Sequence, residues 1–169
     1  MELAKMNGEK RKNVICCFSG HRQLPPDQEQ KLSGDLEHKI LEVVKRGVTV
    51  FRAGGARGFD TLAACLVLQL KQRYDFIKLE LVLPYKQMRL PVSEREIYAY
   101  ILSQADTIRY ASDVYHRGCM HVRNRMLVDG STYCIAYLTQ KYGGTFYTVQ
   151  YAQAHGVEVL FCQTQPSAI

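Results

Sequence analysis

The chain has 169 residues, a hydrophobic share of 47% and a formal net charge of +6, which suits one globular domain with a sizeable core. No apolar run approaches the roughly 18 to 20 residues needed to cross a bilayer. Met1 to Lys12 is polar and basic without the apolar stretch of a secretory signal. The expectation is a cytoplasmic protein with no membrane partner. It would be a single domain over residues 13–163, between a flexible tail of residues 1–12 and a short tail of residues 164–169. The positive balance favours an anionic partner such as a nucleotide, a phosphate or a nucleic acid. Lys5, Lys10, Arg11 and Lys12 explain part of it as a solvated tail, and a mildly basic surface is common among cytosolic enzymes.

In chain order, Val14 to Ser19 is a short apolar run before Gly20, and reads as a buried strand. After Pro25-Pro26, Asp27 caps a helix reaching about Arg46, with Leu36, Ile40, Leu41 and Val44 on one face and Gly47 at its end. Val48 to Ala53 is a second strand, closed by Gly54-Gly55. A helix follows from about Phe59 to Arg73. Ile77 to Leu83 is a third strand, stopped by Pro84. Ser93 to Gln104 is a third helix, with Ser93 and Glu96 at the spacing of a capping box. Asp106 to Tyr110 is a short strand, and a looser stretch to Gly118 leads into a helix near Met120 to Val128. Thr132 to Leu138, a helix from about Thr145 to His155, and Val157 to Phe161 complete the pattern. Such alternation predicts an α/β fold, Rossmann-like and doubly wound, with a mostly parallel sheet and helices on both faces.

The six cysteines, Cys16, Cys17, Cys65, Cys119, Cys134 and Cys162, form no CxxC pair. They read as free thiols in a reducing compartment. His116, Cys119 and His121 lack a fourth partner at convincing spacing, so no metal is expected. No other cofactor is expected.

Three strand ends run into small or polar residues: Ser19-Gly20-His21-Arg22, Gly54-Gly55-Ala56-Arg57-Gly58-Phe59-Asp60, and Tyr142-Gly143-Gly144-Thr145. Parallel order puts all three on one sheet edge, where ligands of such sheets bind. Glycine lets backbone approach a ligand closely, and a helix starting just beyond offers free N–H groups and a positive dipole end. That combination suits a phosphate or carboxylate. Gly143, Gly144 and Thr145 are the leading candidates, because the threonine hydroxyl adds a donor. A plain turn needing small residues explains any one segment alone; three on one edge weaken that explanation. The first strand lacks G-x-G-x-x-G and no G-x-x-x-x-G-K-[ST] occurs, which disfavours a dehydrogenase and a P-loop ATPase.

Arg123-Asn124-Arg125 falls in the fourth helix. Two arginines two apart point to different sides, so one enters the cleft to meet a phosphate while the other faces solvent or an acidic neighbour. A solvated basic helix face is the competing explanation. Asp60 caps the second helix or meets a ribose hydroxyl, the cap being slightly favoured. His21 is either an acid–base or phosphate-binding group, or a loop histidine with no role.

Taken in this order, the Cys17-to-Arg22 segment, the Gly54-to-Ala64 segment, Arg123-Asn124-Arg125 and Gly143-Gly144-Thr145 resemble the SLOG superfamily, which joins DprA (SMF) with the LOG enzymes. The resemblance covers about Val14 to Phe161 and is strongest to small stand-alone YpsA-like members. It implies a Rossmann-like fold and a pocket for nucleotide-derived ligands. The residues matching the shared motifs are Ser19, Gly20, His21, Arg22, Gly54, Gly55, Ala56, Gly58, Arg123, Asn124, Arg125, Gly143, Gly144 and Thr145.

Relatives of LOG type hydrolyse the N-glycosidic bond of nucleoside monophosphates with glutamates just after the Gly-Gly-x-Gly-Thr turn. Here Phe146, Tyr147 and Thr148 stand there. An N-glycosidase would need Asp60, Asp129 or Glu94 to substitute. Relatives of DprA type bind single-stranded DNA, and the many tyrosines leave base stacking open. The leading reading is binding of a small nucleotide-like ligand, an ADP-ribose relative or a nucleoside phosphate, as a sensor or sequestering module. The alternatives are LOG-type phosphoribohydrolysis and DprA-type binding of single-stranded nucleic acid. Pairing into a homodimer is expected from relatives.

Overall fold

The computed structural model describes residues 12–55 and 57–163. The expected tails (all but Lys12) and Ala56 lie outside the described residues. Among the described residues six strands and five helices alternate: β1 (Ile15–Gly20), α1 (Glu29–Lys45), β2 (Val50–Ala53), α2 (Phe59–Lys71), β3 (Lys78–Tyr85), α3 (Val92–Gln104), β4 (Thr107–Ser112), α4 (Cys119–Val128), β5 (Tyr133–Tyr137), α5 (Gly143–Ala154) and β6 (Glu158–Phe161). All neighbouring strands pair in parallel, in the order β4-β3-β2-β1-β5-β6. This is the Rossmann-like α/β architecture that the element order predicts.

Strand periodicity divides the core. On β1, Cys16 and Phe18 pack with α1, α2 and α3 on one face, while Cys17 packs with α4 and α5 on the other. Successive strand side chains point to opposite faces, so both faces of a sheet covered by helices become apolar. The chain steps outward from β1 to β4, then returns to add β5 on the opposite flank of β1. The carboxyl ends of β1 and β5 therefore diverge into helices on opposite faces, which leaves a crevice between them.

Four local expectations are corrected. Asp27 does not cap α1. It sits in a turn closed by the Gln28 N–H to the Pro25 carbonyl (3.0 Å), and the helix begins at Glu29 with Gln28 as N-cap and no side-chain cap. The capping box at Ser93 and Glu96 does not form either. Pro91 is the N-cap of α3, which already includes Ser93, and the Pro91 carbonyl takes the Glu94 N–H at 3.0 Å. Pro84 does not stop β3. The last residue of β3 in register with β2 is Leu81, opposite Ala53, so beyond it the proline needs no N–H on that side, and β3 continues to Tyr85 opposite Ser112 of β4. Asp60 is the second residue of α2, not its cap. Gly58 holds that place without a side-chain cap.

Candidate functional site

The crevice between β1 and β5 is a cavity of about 250 Å³. The end of β1 and the chain just beyond it supply Ser19, Gly20, His21 and Arg22; the first turn of α2 supplies Asp60. From α4 come Met120, Arg123, Asn124 and Leu127, spaced i, i+3, i+4 and i+7, so one stripe of that helix forms a wall. From α5 come Gly144, Thr145 and Thr148.

Close packing shapes the floor. A methyl group added at Gly20 would lie 2.3 Å from the Phe59 ring. Only hydrogen fits where β1 meets the start of α2. Gly58 has φ +78, and a Cβ there would lie 2.3 Å from the Arg22 carbonyl oxygen. That contact needs both the left-handed backbone and the missing side chain. The Phe59 N–H donates to the His21 carbonyl at 3.1 Å, which ties α2 to the loop after β1.

Gly54 makes room for a charge pair. A Cβ on it would lie 2.6 Å from Arg123 Nη1 and 2.8 Å from Asp60 Oδ2. Arg123 Nη1 donates to the Gly54 carbonyl and Nε donates to Asn124 Oδ1 at 2.9 Å. Arg123 is 6% exposed and Asp60 6%. Burial lowers the pKa of Arg123, the Asp60 carboxylate opposes that, and Arg22 lowers it further. The two arginines thus repel across the cavity, and an anion placed between them relieves that repulsion. With two donors committed, the Arg123 guanidinium keeps further N–H groups for a ligand.

His21 links two walls. Its Nε2 accepts the Thr139 backbone N–H at 2.9 Å, so the neutral ring carries its proton on Nδ1. Burial lowers its pKa from the ordinary 6.5. The ring also meets Tyr137 edge-on at 5.6 Å. Along α5, the first N–H groups have no intrahelical acceptor, and Gly144 and Thr145 place them at the cavity. A Cβ on Gly144 would meet only Asn124 Nδ2, at 3.8 Å.

Of the residues singled out in the sequence, Ser19, Gly20, His21, Arg22, Asp60, Arg123, Asn124, Gly144 and Thr145 line this cavity. Gly55 and Gly58 do not. They line neighbouring cavities on the same edge, Gly55 two of them and Gly58 one. Gly143 opens α5 beside the cavity without lining it. Arg125 is exposed on α4, outside the lining. Asp129 is remote: it accepts the Tyr151 hydroxyl at 2.8 Å. Glu94 pairs with Arg57 at 3.2 Å and lines the neighbouring cavities. Cys119 is buried, whereas His116 and His121 are exposed. Among the described residues, no three His, Cys, Asp or Glu are grouped to hold a metal.

Sequence reasoning missed Phe18, Met120, Leu127 and Thr148 in the lining. A helical projection from Arg123 would have found Met120 and Leu127. Thr148 Oγ1 donates back to the Gly144 carbonyl at 2.9 Å, which steadies the first turn of α5.

A parallel doubly wound sheet with an arginine-lined crevice at its switch point defines a class of Rossmann-like proteins. Within that class, residues 16–160 match the YspA SLOG family (YpsA), and the chain belongs to it. Two solved structures share the fold. DNA processing protein A from Helicobacter pylori, described for its single-stranded DNA binding mode, has a TM-score of 0.68 at 18% identity over 91% of this chain and 67% of that one. DNA processing protein A (DprA) from Streptococcus pneumoniae has a TM-score of 0.65 at 17% identity over 88% of this chain and 50% of that one. No curated protein matches the chain in sequence. Among the described residues no helix is long and apolar enough to cross a membrane.

Proposed function

We propose that the chain binds a nucleotide or nucleotide-derived ligand in the β1–β5 crevice, as a sensor or sequestering module in the cytoplasm. The observation that carries this reading is the convergence of the α5 N-terminus, Arg22, Arg123 and neutral His21 on one cavity of about 250 Å³. A phosphate sits at Gly144 and Thr145, where the helix dipole and free N–H groups favour an anion. Arg22 and Arg123 supply charge, and His21 offers its Nδ1–H to an oxygen acceptor. Asp60 faces the same space and suits a sugar hydroxyl.

The test is calorimetric titration with nucleoside mono- and diphosphates, with product analysis of every binder. Gly144→Leu sends a side chain into the cavity and is expected to abolish binding while the fold survives. Arg125→Ala is expected to leave affinity unchanged, because Arg125 is outside the lining. Wild-type affinity in Gly144→Leu would refute the site. Recovery of free base plus sugar phosphate would replace binding by N-glycosidic hydrolysis with Asp60 as the carboxylate.

A second reading is single-stranded nucleic-acid binding. It is favoured by Arg22, Arg57, Arg89 and Arg123 along adjoining cavities, and by the DNA-binding mode named for the Helicobacter pylori neighbour. It requires affinity that falls steeply and linearly on a log–log plot as salt rises. A mononucleotide gives a shallow slope.

A further inference from the structure

The crevice does not end at Arg123. A second cavity of about 240 Å³ shares Arg22, Met120 and Arg123 with the first. Two guanidinium groups therefore stand where the two spaces join. Beyond that junction the walls mix apolar and charged groups, as those of the crevice do. Tyr85 at the end of β3, and Met88 and Leu90 from the loop before α3, offer aromatic, thioether and alkyl surface. Arg89 and Glu94 lie among them. Met88 is held in place partly by Tyr98, whose hydroxyl lies 4.0 Å from its sulfur. Burial first, then Tyr110 and Tyr85, push the Tyr98 pKa up to about 12, so that hydroxyl stays protonated and uncharged.

The aromatic, thioether and alkyl groups among these charges give surface to a flat ring, which buries its faces and keeps its edge polar. Arginine adds attraction to a ring face. Glu94 holds Arg57 through Oε1, and a carboxylate has further acceptor capacity for the exocyclic amino group of a base. At the junction, paired guanidinium groups match a phosphate. The order along the edge is then nucleotide crevice, cationic junction, ring-binding cavity.

We infer that the ligand is a two-ring molecule joined through phosphate: one nucleotide in the crevice, the linking phosphate against Arg22 and Arg123, and a second ring against Tyr85, Met88 and Leu90. This rests on the reading of the crevice as a nucleotide site and extends it by naming the ligand class. Two sources share the chemistry, a pyrophosphate-bridged dinucleotide and a 5′-phosphorylated 3′,5′-linked dinucleotide.

Calorimetry on the full chain with each of these, and with the matching mononucleotide, tests the inference. At least one dinucleotide is expected to bind about tenfold tighter than its mononucleotide or better, and which one does so identifies the linkage. Met88→Glu, in a half-buried loop position, is expected to remove that advantage while mononucleotide affinity stays at the wild-type value. Met88→Leu is expected to retain it. If both dinucleotides bind no tighter than mononucleotides, the second subsite is refuted and the crevice reading survives. If the advantage persists in Met88→Glu, the ring is not in this cavity and the inference falls. If no probe binds at all, both readings fall together. Unfolding curves of Met88→Glu matching wild type separate a lost contact from a lost fold.

Discussion

Gly20→Ala tests whether the crevice floor is as tightly built as the geometry requires. The new Cβ would lie 2.3, 2.4 and 2.5 Å from Cγ, Cδ1 and Cβ of Phe59. Carbon atoms at rest are about 3.5–4.0 Å apart, so something must move by about 1 Å or more. Phe59 has nowhere to go. It is fully buried, stacks on Tyr137 at 6.0 Å and meets Phe18 edge-on at 6.4 Å. Its N–H is tied to the His21 carbonyl as well. Overpacking of this kind costs about 1–3 kcal/mol, and the backbone-proximal contact puts it at the upper end. A domain of this size loses about 2–4 °C of Tm per kcal/mol, so a fall of about 5–10 °C is expected. Gly144→Ala is the control. It sits in the first turn of α5 with only an ordinary 3.8 Å contact to Asn124. Alanine in a helix is favoured over glycine by up to about 1 kcal/mol, so its stability should hold or rise slightly. Urea unfolding with a shared m-value reads both. A Gly20→Ala midpoint equal to wild type would refute the packing argument for the floor.

Two more perturbations probe charge. The pKa of His21 is lowered in the folded chain from 6.5, so the unfolded chain takes up its proton first as pH falls. The His21 contribution to stability is complete above about pH 6.5 and is lost as pH drops through the lower folded value. Protonation also removes the acceptor for the Thr139 N–H, so nucleotide affinity should fall with it. His21→Asn should flatten both profiles in that window, as read by urea midpoints and calorimetry. Arg52→Met should cost about 3–5 kcal/mol, because Arg52 is buried, pairs with Glu80 at 2.6 Å and, among the described residues, leaves that carboxylate with only the 3.5 Å contact to Arg109. Arg52→Met with Glu80→Met together should recover much of the loss in thermal unfolding.

Most of the sheet was readable because β1, β3 and β5 are short runs rich in apolar residues bounded by glycine, proline or polar residues, and α1 and α2 carry apolar stripes. By contrast, β4 (Thr-Ile-Arg-Tyr-Ala-Ser) is largely exposed and was placed by alternation. The motif positions were readable because parallel order sends every strand end to one edge. Boundaries at prolines were not. Whether Pro84 ends a strand depends on how far β2 reaches beside it, and Ala53 is the last residue of β2 in register, so the limit lies on another strand. The capping signals at Asp27 and Ser93 failed for a similar reason: a neighbouring proline carbonyl closes the turn ahead of α1 in one place and the first turn of α3 in the other. Which of Arg123 and Arg125 faces the crevice depends on the rotation of α4 against the sheet. The Met120, Arg123, Asn124 and Leu127 stripe holds that information, since apolar and polar lining residues share one face. The second cavity was beyond reach, because Tyr85, Met88 and Leu90 show no helical or strand period and converge only through the fold.

That rotation of α4 is itself set by carbonyl contacts of two arginines, made between the helix and the carboxyl end of β2. Arg52 of β2 donates through Nη1 to the Asp129 carbonyl (2.5 Å) and the Met126 carbonyl (3.4 Å), which places a cation on the C-terminal end of α4, where the helix dipole favours it. Arg123, inside α4, returns the contact by donating to the Gly54 carbonyl just past the end of β2. The helix is thus held to β2 at two heights, and neither contact can form if α4 turns or slides by a residue. Arg123 is consequently fixed before any ligand arrives, and little ordering entropy remains to oppose binding. The same arrangement ties the site to the core: loosening Arg52 frees the C-terminal end of α4, and with it the wall shared by the crevice and the cavity beyond.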